Sequence, residues 1–360
     1  MDKTIMFFIG SLSWGGAEKI ITLLAQSYLD KGYKVYIVTV LSNKNVFDLD
    51  PRIEVVSIAR ENKSNISNVG HWIKSIKSLL ANIKPSIVVS FVCRINLLVI
   101  YAKVKSKLHC RLIISERNDP RYDTRGTLAK IALRYLYPKA DLLICQTSKE
   151  KAYFTKKIQA KTVVIPNPVF LTAEPVPFEQ KKKIIINAAR YDESKNQKLL
   201  IDAFTNVVSK DKDNEFELHF YGSGSLKESL VNCVKDKHMD SKIKIFDSIK
   251  TVQQKISEAS IFCLSSNYEG MSNALMEALL LGTPSISTDT SGADDLIIDG
   301  KNGYIISDND AGDLENALTT LINDSNLRKS MYDYCLSRDY QDRFVKSLQK
   351  YQSYINGDRD

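Results

Sequence analysis

The stretch Glu269-Gly-Met-Ser-Asn-Ala-Leu-Met-Glu277, continued by Ala-Leu-Leu-Leu-Gly-Thr-Pro284, decides how this chain is read. The apolar run from Ala259 to Leu264 and the polar Ser265, Ser266 and Asn267 after it place Glu269 in a loop at the carboxyl end of a strand. Glu277 then falls inside the next helix, near its first turn. Gly270 has no side chain to obstruct a ligand. The free N–H groups of Met271, Ser272 and Asn273 open the helix with its positive dipole end outward. A diphosphate suits that place. Glu277 is spaced to accept hydrogen bonds from a ribose diol, and Glu269 to reach hydroxyls of a group beyond the phosphates.

Outward from this stretch, short apolar runs alternate with helical stretches along the whole chain, the pattern of parallel sheets with helices on both faces. Strands are expected at Thr4 to Ile9, Lys34 to Val40, Ile53 to Ile58, Ser86 to Val92, Leu112 to Ser115, Leu142 to Cys145 and Thr162 to Ile165, with a helix over Ala17 to Asp30. They resume at Lys183 to Ala188, Phe216 to Tyr221, Ile243 to Phe246, Ile261 to Leu264, Ser285 to Ser287 and Gly303 to Ile306. Between the two sets lies a proline-bearing stretch, from Pro166-Asn-Pro168 to Pro175 and Pro177, read as a linker. The expectation is an α/β chain of two Rossmann-like, doubly wound domains facing across a cleft: residues 1–168, a linker at 169–180, a second domain at 181–336 and a helical tail at 337–360. Ligands of such sheets bind at the carboxyl ends of the strands.

A chain of 360 residues suits two domains, and its 44% apolar and 26% charged residues are globular proportions. No run reaches membrane-spanning length. Ile87 to Val104 is broken by Arg94, Asn96 and Lys103, and Ile5 to Ile9 is too short for a signal core. The six cysteines (93, 110, 145, 233, 263 and 335) form no Cys-x-x-Cys pair. Reduced core thiols and a cytoplasmic address follow.

Charge divides unevenly. Residues 1–170 hold 27 Lys+Arg against 12 Asp+Glu, a net of +15, whereas residues 171–360 hold 23 against 30, a net of −7. The first half is built to sit near something anionic. No zinc finger or aromatic-and-glycine ribbon of a nucleic-acid binder is present, so an anionic membrane surface is preferred and nucleic acid is not expected. The segment Gly126 to Lys139 carries the same suggestion. On a helix Leu128, Ile131, Ala132 and Tyr135 share a face and Lys130 and Arg134 another. A helix covering its own sheet would show the same pattern. Lys103, Lys105, Lys107 and Arg111 add positive charge nearby, which favours an anionic lipid surface or a lipid diphosphate.

Three further loops bear polar groups. Gly10-Ser-Leu-Ser-Trp-Gly15-Gly16-Ala-Glu18 follows the first strand and lets backbone N–H groups approach a polar ligand, although a tight βα turn alone would read alike; it is not the Gly-x-Gly-x-x-Gly fingerprint. Ala188-Ala-Arg190-Tyr-Asp-Glu-Ser-Lys195 puts a guanidinium and an ammonium on one loop. Ile114-Ser-Glu116-Arg117-Asn118-Asp-Pro120 ends a first-half strand, with Arg117 and Asn118 lining a cleft or Glu116 and Arg117 paired on the surface. The four histidines (71, 109, 219 and 238) show no catalytic spacing.

With Gly270, Gly282 and Pro284 in register, the Glu269–Pro284 stretch resembles the hallmark of family-4 retaining glycosyltransferases, a Glu-x7-Glu element running into Glu-Ala-x-x-x-Gly-x-Pro. The resemblance extends over nearly the whole chain and implies the GT-B fold, with a terminal helix that crosses back to the first domain. It implies that Arg190 and Lys195 face the donor diphosphate and offset the charge that grows as the sugar–phosphate bond breaks. Glu277, Gly270, Met271, Ser272, Asn273 and Gly16 become donor-binding, joined by Gly222 and Ile249 from the loops Gly222-Ser-Gly224 and Asp247-Ser-Ile249 that in relatives enclose the base. Gly15, Glu116, Arg117 and Asn118 fall on the acceptor side. Many relatives carry a histidine in the loop after Ile114; Arg117 stands in that loop here, so a histidine role does not transfer.

The reading that follows is a retaining, metal-independent transferase of a hexosyl or N-acetylhexosaminyl group. The donor is a nucleoside-diphosphate sugar, UDP-linked in preference to GDP-linked. The acceptor is a polyprenyl-diphosphate-linked or other lipid-linked glycan, met at the inner face of the cell membrane in surface-polysaccharide assembly. No cofactor is implied. The pairs Asp48/Asp50, Asp211/Asp213, Asp308/Asp310 and Asp358/Asp360 match the metal-binding Asp-x-Asp of the other large glycosyltransferase fold, yet each sits where Asp suits a turn and none joins a second ligand cluster. A nucleotide-sugar epimerase on the same fold, or a non-catalytic nucleotide-sugar-binding scaffold, are the alternatives.

Overall fold

A computed structural model describes residues 3–13, 16–60, 65–117, 120–121, 126–211, 213–290, 292–307, 310–337, 340–342 and 346–358. The chain divides into two compact units, one of Met1–Pro168 with Ser347–Asp360 and the other of Val169–Lys346. The chain thus leaves the first unit at Pro168 and re-enters it at Ser347. Residues 169–180 lie within the second unit, where Gln253 Oε1 accepts from the Thr172 N–H and Ser257 Oγ from the Val176 N–H.

In the first unit the strands are β1 (Thr4–Ile9), β2 (Lys34–Thr39), β3 (Glu54–Ser57), β4 (Ile87–Phe91), β5 (Arg111–Ser115), β6 (Leu142–Cys145) and β7 (Thr162–Val164). They form one parallel sheet in the order β3-β2-β1-β4-β5-β6-β7. β1 is buried throughout and feeds both faces by the two-residue alternation of a strand. Ile5, Phe7 and Ile9 pack with Ile20, Leu24 and Tyr28 of the helix Gly16–Asp30 and with Tyr351 and Ile355 of the terminal helix Ser347–Asn356. Met6 and Phe8 join Trp72, Ile76 and Leu80 of the helix Asn65–Ile83 on the opposite face. A register slip of one residue would exchange the two sets, so the pairing is strongly specified.

The second unit repeats the plan with β8 (Lys182–Ala188), β9 (Glu217–Gly222), β10 (Ile243–Asp247), β11 (Ala259–Leu264), β12 (Ser285–Thr288) and β13 (Gly303–Ile306). Its order is β10-β9-β8-β11-β12-β13, again parallel. In each sheet the strand order reverses once, between β1 and β4 and between β8 and β11. Loops leaving the two strands at such a switch point diverge and frame a crevice. The helix Asn273–Leu280 follows β11 and ends at Gly282, whose φ of +71° is the left-handed turn that closes a helix without the penalty of a Cβ.

Candidate functional site

The loops after β8 and β11 meet at the second unit's switch point and are fastened residue by residue. Ser265 Oγ donates to the Lys195 carbonyl at 3.0 Å, the Asn267 N–H to the Ser194 carbonyl at 2.8 Å, and Asn267 Nδ2 to the Glu193 carbonyl at 2.9 Å. Across this zipper Lys195 Nζ lies 2.5 Å from Glu269 Oε1, with the two side chains only 12% and 15% exposed. Ser266 Oγ donates to the same oxygen at 3.1 Å. The ammonium has three N–H donors and spends one on Glu269. Arg190, on the same loop, is largely exposed and lies 3.3 Å from Asp192 Oδ2.

Beside this pair a cavity of about 300 Å³ holds Arg190, Gly222, Ile249, Asn273, Ala274 and Glu277 in its wall. Five of these six are residues singled out in the sequence, and they arrive from the carboxyl ends of β8, β9 and β10 and from the helix Asn273–Leu280. Lys195 and Glu269 are not in its lining. Gly222 is fixed by sterics, because a Cβ there would stand 1.9 Å from the Ala189 carbonyl oxygen. Ser272 is the N-cap of the helix Asn273–Leu280, and its Oγ takes the Leu275 N–H. The Met271 side chain is buried among Leu275 and Met276, which leaves its backbone, with Gly270, on the loop.

The first unit places its candidates differently. Gly16 opens the helix Gly16–Asp30, with Glu18 in its first turn; Gly15 and Asn118 lie outside the described residues. Burial raises the Glu18 carboxyl above its ordinary range, a backbone hydrogen bond opposes the rise, and the positive charge of Arg117 opposes it too. Arg117 is buried, donating from Nη1 to the Tyr351 hydroxyl at 2.8 Å and from Nη2 to Asn167 Oδ1 at 2.9 Å, with its guanidinium 5.4 Å from the centre of the Phe91 ring. Glu116 is buried too, and its carboxyl accepts from the Tyr137 hydroxyl. The surface pair of Glu116 and Arg117 is therefore not what the chain builds; each side chain turns inward to its own partner. Tyr351 and Asn167 escaped notice as partners of Arg117. The tyrosines of the tail are the signal in the sequence for the first, and the second sits in the proline-bearing stretch read as a linker.

The helix Thr127–Leu136 does not cover the sheet with the face of Leu128, Ile131 and Tyr135, the alternative that the sequence left open. Its Leu128 and Tyr135 are 83% and 74% exposed and Ile131 is exposed beside them, while Leu133 is the side chain turned into the core. No described helix is long and apolar enough to cross a membrane. Of the Asp-x-Asp pairs, Asp50 is held by Arg52, Asp211 accepts from the Asp213 N–H, and Asp310 caps the helix Ala311–Asn323; Asp308 and Asp360 lie outside the described residues.

Two adjoining family profiles span this architecture, one described as Glycosyltransferase Family 4 over residues 14–172 and one described as Glycosyl transferases group 1 over residues 172–337. The chain belongs to the family-4 glycosyltransferases, with the GT-B fold of two parallel-sheet α/β domains. It is 26% identical over 95% of its length, and 96% of the other chain, to the "GalNAc-alpha-(1->4)-GalNAc-alpha-(1->3)-diNAcBac-PP-undecaprenol alpha-1,4-N-acetyl-D-galactosaminyltransferase" of Campylobacter jejuni. It is 23% identical to the amylovoran biosynthesis glycosyltransferase AmsD of Erwinia amylovora, over 99% of this chain and 100% of that one. Among solved structures, Anabaena HepE in complex with UDP shares the fold with a TM-score of 0.80, at 15% identity over 99% of this chain and 100% of that chain.

Proposed function

We propose that the chain is a retaining, metal-independent glycosyltransferase that moves a hexosyl or N-acetylhexosaminyl group from a UDP-sugar to a lipid-linked glycan acceptor. The observation that carries this reading is the pairing of Lys195 with Glu269 beside a cavity walled by Arg190, Gly222, Ile249, Asn273 and Glu277. The N-terminal end of the helix Asn273–Leu280 offers N–H groups and a positive dipole end to a diphosphate. Arg190 and the remaining donors of Lys195 supply the positive charge that a departing diphosphate requires, a part that a divalent ion plays elsewhere. The name of the Campylobacter jejuni relative, a transferase acting on a PP-undecaprenol-linked glycan, supports the lipid-linked acceptor, and the UDP complex of a shared fold supports the donor.

The Glu269 carboxylate is engaged by Lys195 and Ser266, which suits a positioning group better than a nucleophile. The acceptor oxygen then bonds to the anomeric carbon on the face from which the β-phosphate oxygen departs. The acceptor's proton passes to a phosphate oxygen of the leaving nucleoside diphosphate. Glu269 holds the sugar in place, and the configuration at the anomeric carbon is retained.

The exposed Leu128, Ile131 and Tyr135, with Lys130 and Arg134 on the same helix, support a peripheral seat on the anionic inner face of the cell membrane. The test of the whole reading is transfer from a panel of UDP- and GDP-sugars to polyprenyl-diphosphate-linked oligosaccharides, with EDTA in parallel and the product linkage read by NMR. An α-linked product from an α-linked UDP-sugar, formed equally in EDTA, is the expected result; a β-linked product or a metal requirement would overturn the mechanism.

A further inference from the structure

On one flank of the helix Thr127–Leu136 a cavity of about 330 Å³ opens towards the segment Tyr153–Ile158. The exposed Lys130 and Arg134 stand at its rim, four residues apart, and the buried Leu133, Phe154 and Ile158 form its floor. Like charges at that spacing face each other across one helical turn and cost the helix stability. Nothing in the wall offsets them. Tyr153 and Thr155 complete the lining, so no carboxylate enters it, and among the described residues neither cation has a hydrogen-bond or ion-pair partner. A cleft of one charge sign over a floor of low polarity focuses its field and gathers counter-ions. The cavity asks for an anion.

The surroundings say what carries that anion. At 100° per residue, Leu128, Ile131 and Tyr135 point about half a turn away from the core-facing Leu133, and Lys130 and Arg134 fall on the flank between. The exposed apolar ridge and the two cations therefore meet one lipid surface together. Tyr153, 40% exposed, adds an amphipathic ring at the mouth. The cavity also lies towards the amino edge of the first sheet, for the helix leads into β6 and the segment into β7, and Lys161 Nζ ties the two turns by donating to the carbonyls of Pro138 and Ala140. Substrates of such a sheet meet at the opposite, carboxyl edge. A lipid held here is not the acceptor in reaction.

We propose that this cavity seats the phosphate of one anionic phospholipid, held between Lys130 and Arg134, so that the chain binds a defined headgroup as well as lying on a charged surface. The choice of a lipid as occupant rests on the peripheral seat argued above. Calorimetric titration of the full chain with monomeric dihexanoylphosphatidylglycerol should saturate at one lipid per chain. Lys130→Gln and Arg134→Gln should each weaken that binding about tenfold. Lys157→Gln removes the same charge from an exposed side chain outside the lining, and should leave the affinity within about twofold. Equal losses in all three variants would mean diffuse attraction and overturn the site. Inorganic phosphate that binds as tightly as the lipid would overturn the phospholipid as occupant, and so would farnesyl diphosphate that binds more than about tenfold tighter, since it carries the acceptor's headgroup. Sedimentation with phosphatidylglycerol vesicles separates this proposal from the reading beneath it. A chain that sediments yet shows no saturable binding of the short lipid overturns the cavity and keeps the seat. Saturable binding without sedimentation upholds the cavity and strikes the seat.

Discussion

Lys195 Nζ and Glu269 Oε1 stand 2.5 Å apart, joining the loops that leave β8 and β11, the two strands between which the second sheet reverses its order. A cation and an anion from sequence positions 74 apart are thereby held on one crevice. Removal of either partner leaves a mostly enclosed charge without its counterpart. Glu269→Gln and Lys195→Met are each expected to lower kcat for sugar transfer by about 100-fold, and the double variant to fall little further, since groups that act as a unit are not additive. Steady-state kinetics of the four proteins decide it; multiplicative losses would separate the two roles.

Gly222→Ala places a methyl group against the Ala189 carbonyl, where the ideal position is 1.9 Å away. The backbone of β9's end must move, at a cost of about 1–3 kcal/mol. The same movement distorts the cavity wall shared with Arg190 and Ile249. UDP affinity measured by calorimetry should fall about tenfold or more, and an alanine variant with native affinity would remove Gly222 from the site.

Arg117 fastens both places where the chain passes between units, bonding to Asn167 just before the first crossing and to Tyr351 just after the second. Tyr351→Phe deletes one charge-assisted bond inside the first unit, worth about 1.5–3 kcal/mol. Differential scanning calorimetry should show a melting temperature lower by about 3–12 °C. An unchanged melting curve would mean that Arg117 finds another partner at no cost.

The exposed face of the helix Thr127–Leu136 gives a clean separation of binding from folding. Leu128→Asp with Tyr135→Asp alters side chains that are mostly in solvent, so stability should shift within about 0.5 kcal/mol. Sedimentation with vesicles rich in anionic lipid should drop about tenfold or more for the variant, whereas equal sedimentation would remove this helix as the contact.

Lys181 carries a pH dependence with a defined sign. Its ammonium donates to the carbonyls of Ser257 and Ala259 and to Thr283 Oγ1, and burial lowers its pKa from 10.5 to about 8. Between these values the unfolded chain binds more protons than the folded one, so this group's contribution to stability rises as pH increases from about 8 to 10.5. Compared with Lys181→Met, the wild-type protein should gain up to about 3 kcal/mol across that window in urea unfolding. A difference that stays flat would contradict the burial of this amine.

The fold was legible because parallel strands buried on both faces appear as uninterrupted apolar runs, as at Thr4–Ile9 and Ala259–Leu264, and because turn residues separate them cleanly. The residues that wall the candidate cavity stood out as glycines and charges that follow strands, since chain direction alone places them at one edge of the sheet. Side-chain direction was not. Whether Glu116 points to solvent or to Tyr137, and whether Leu128 or Leu133 faces the core, depend on packing partners remote in sequence. The Glu269 stretch announced two carboxylates, yet only the structure sets one of them on Lys195.

Co-crystallisation with UDP tests the central claim most directly. The account predicts the ribose hydroxyls on the Glu277 carboxylate, the diphosphate at the first turn of the helix Asn273–Leu280 within reach of Arg190 and Lys195, and the base beside Gly222 and Ile249. Electron density for UDP elsewhere on the protein, with these residues untouched, would contradict it.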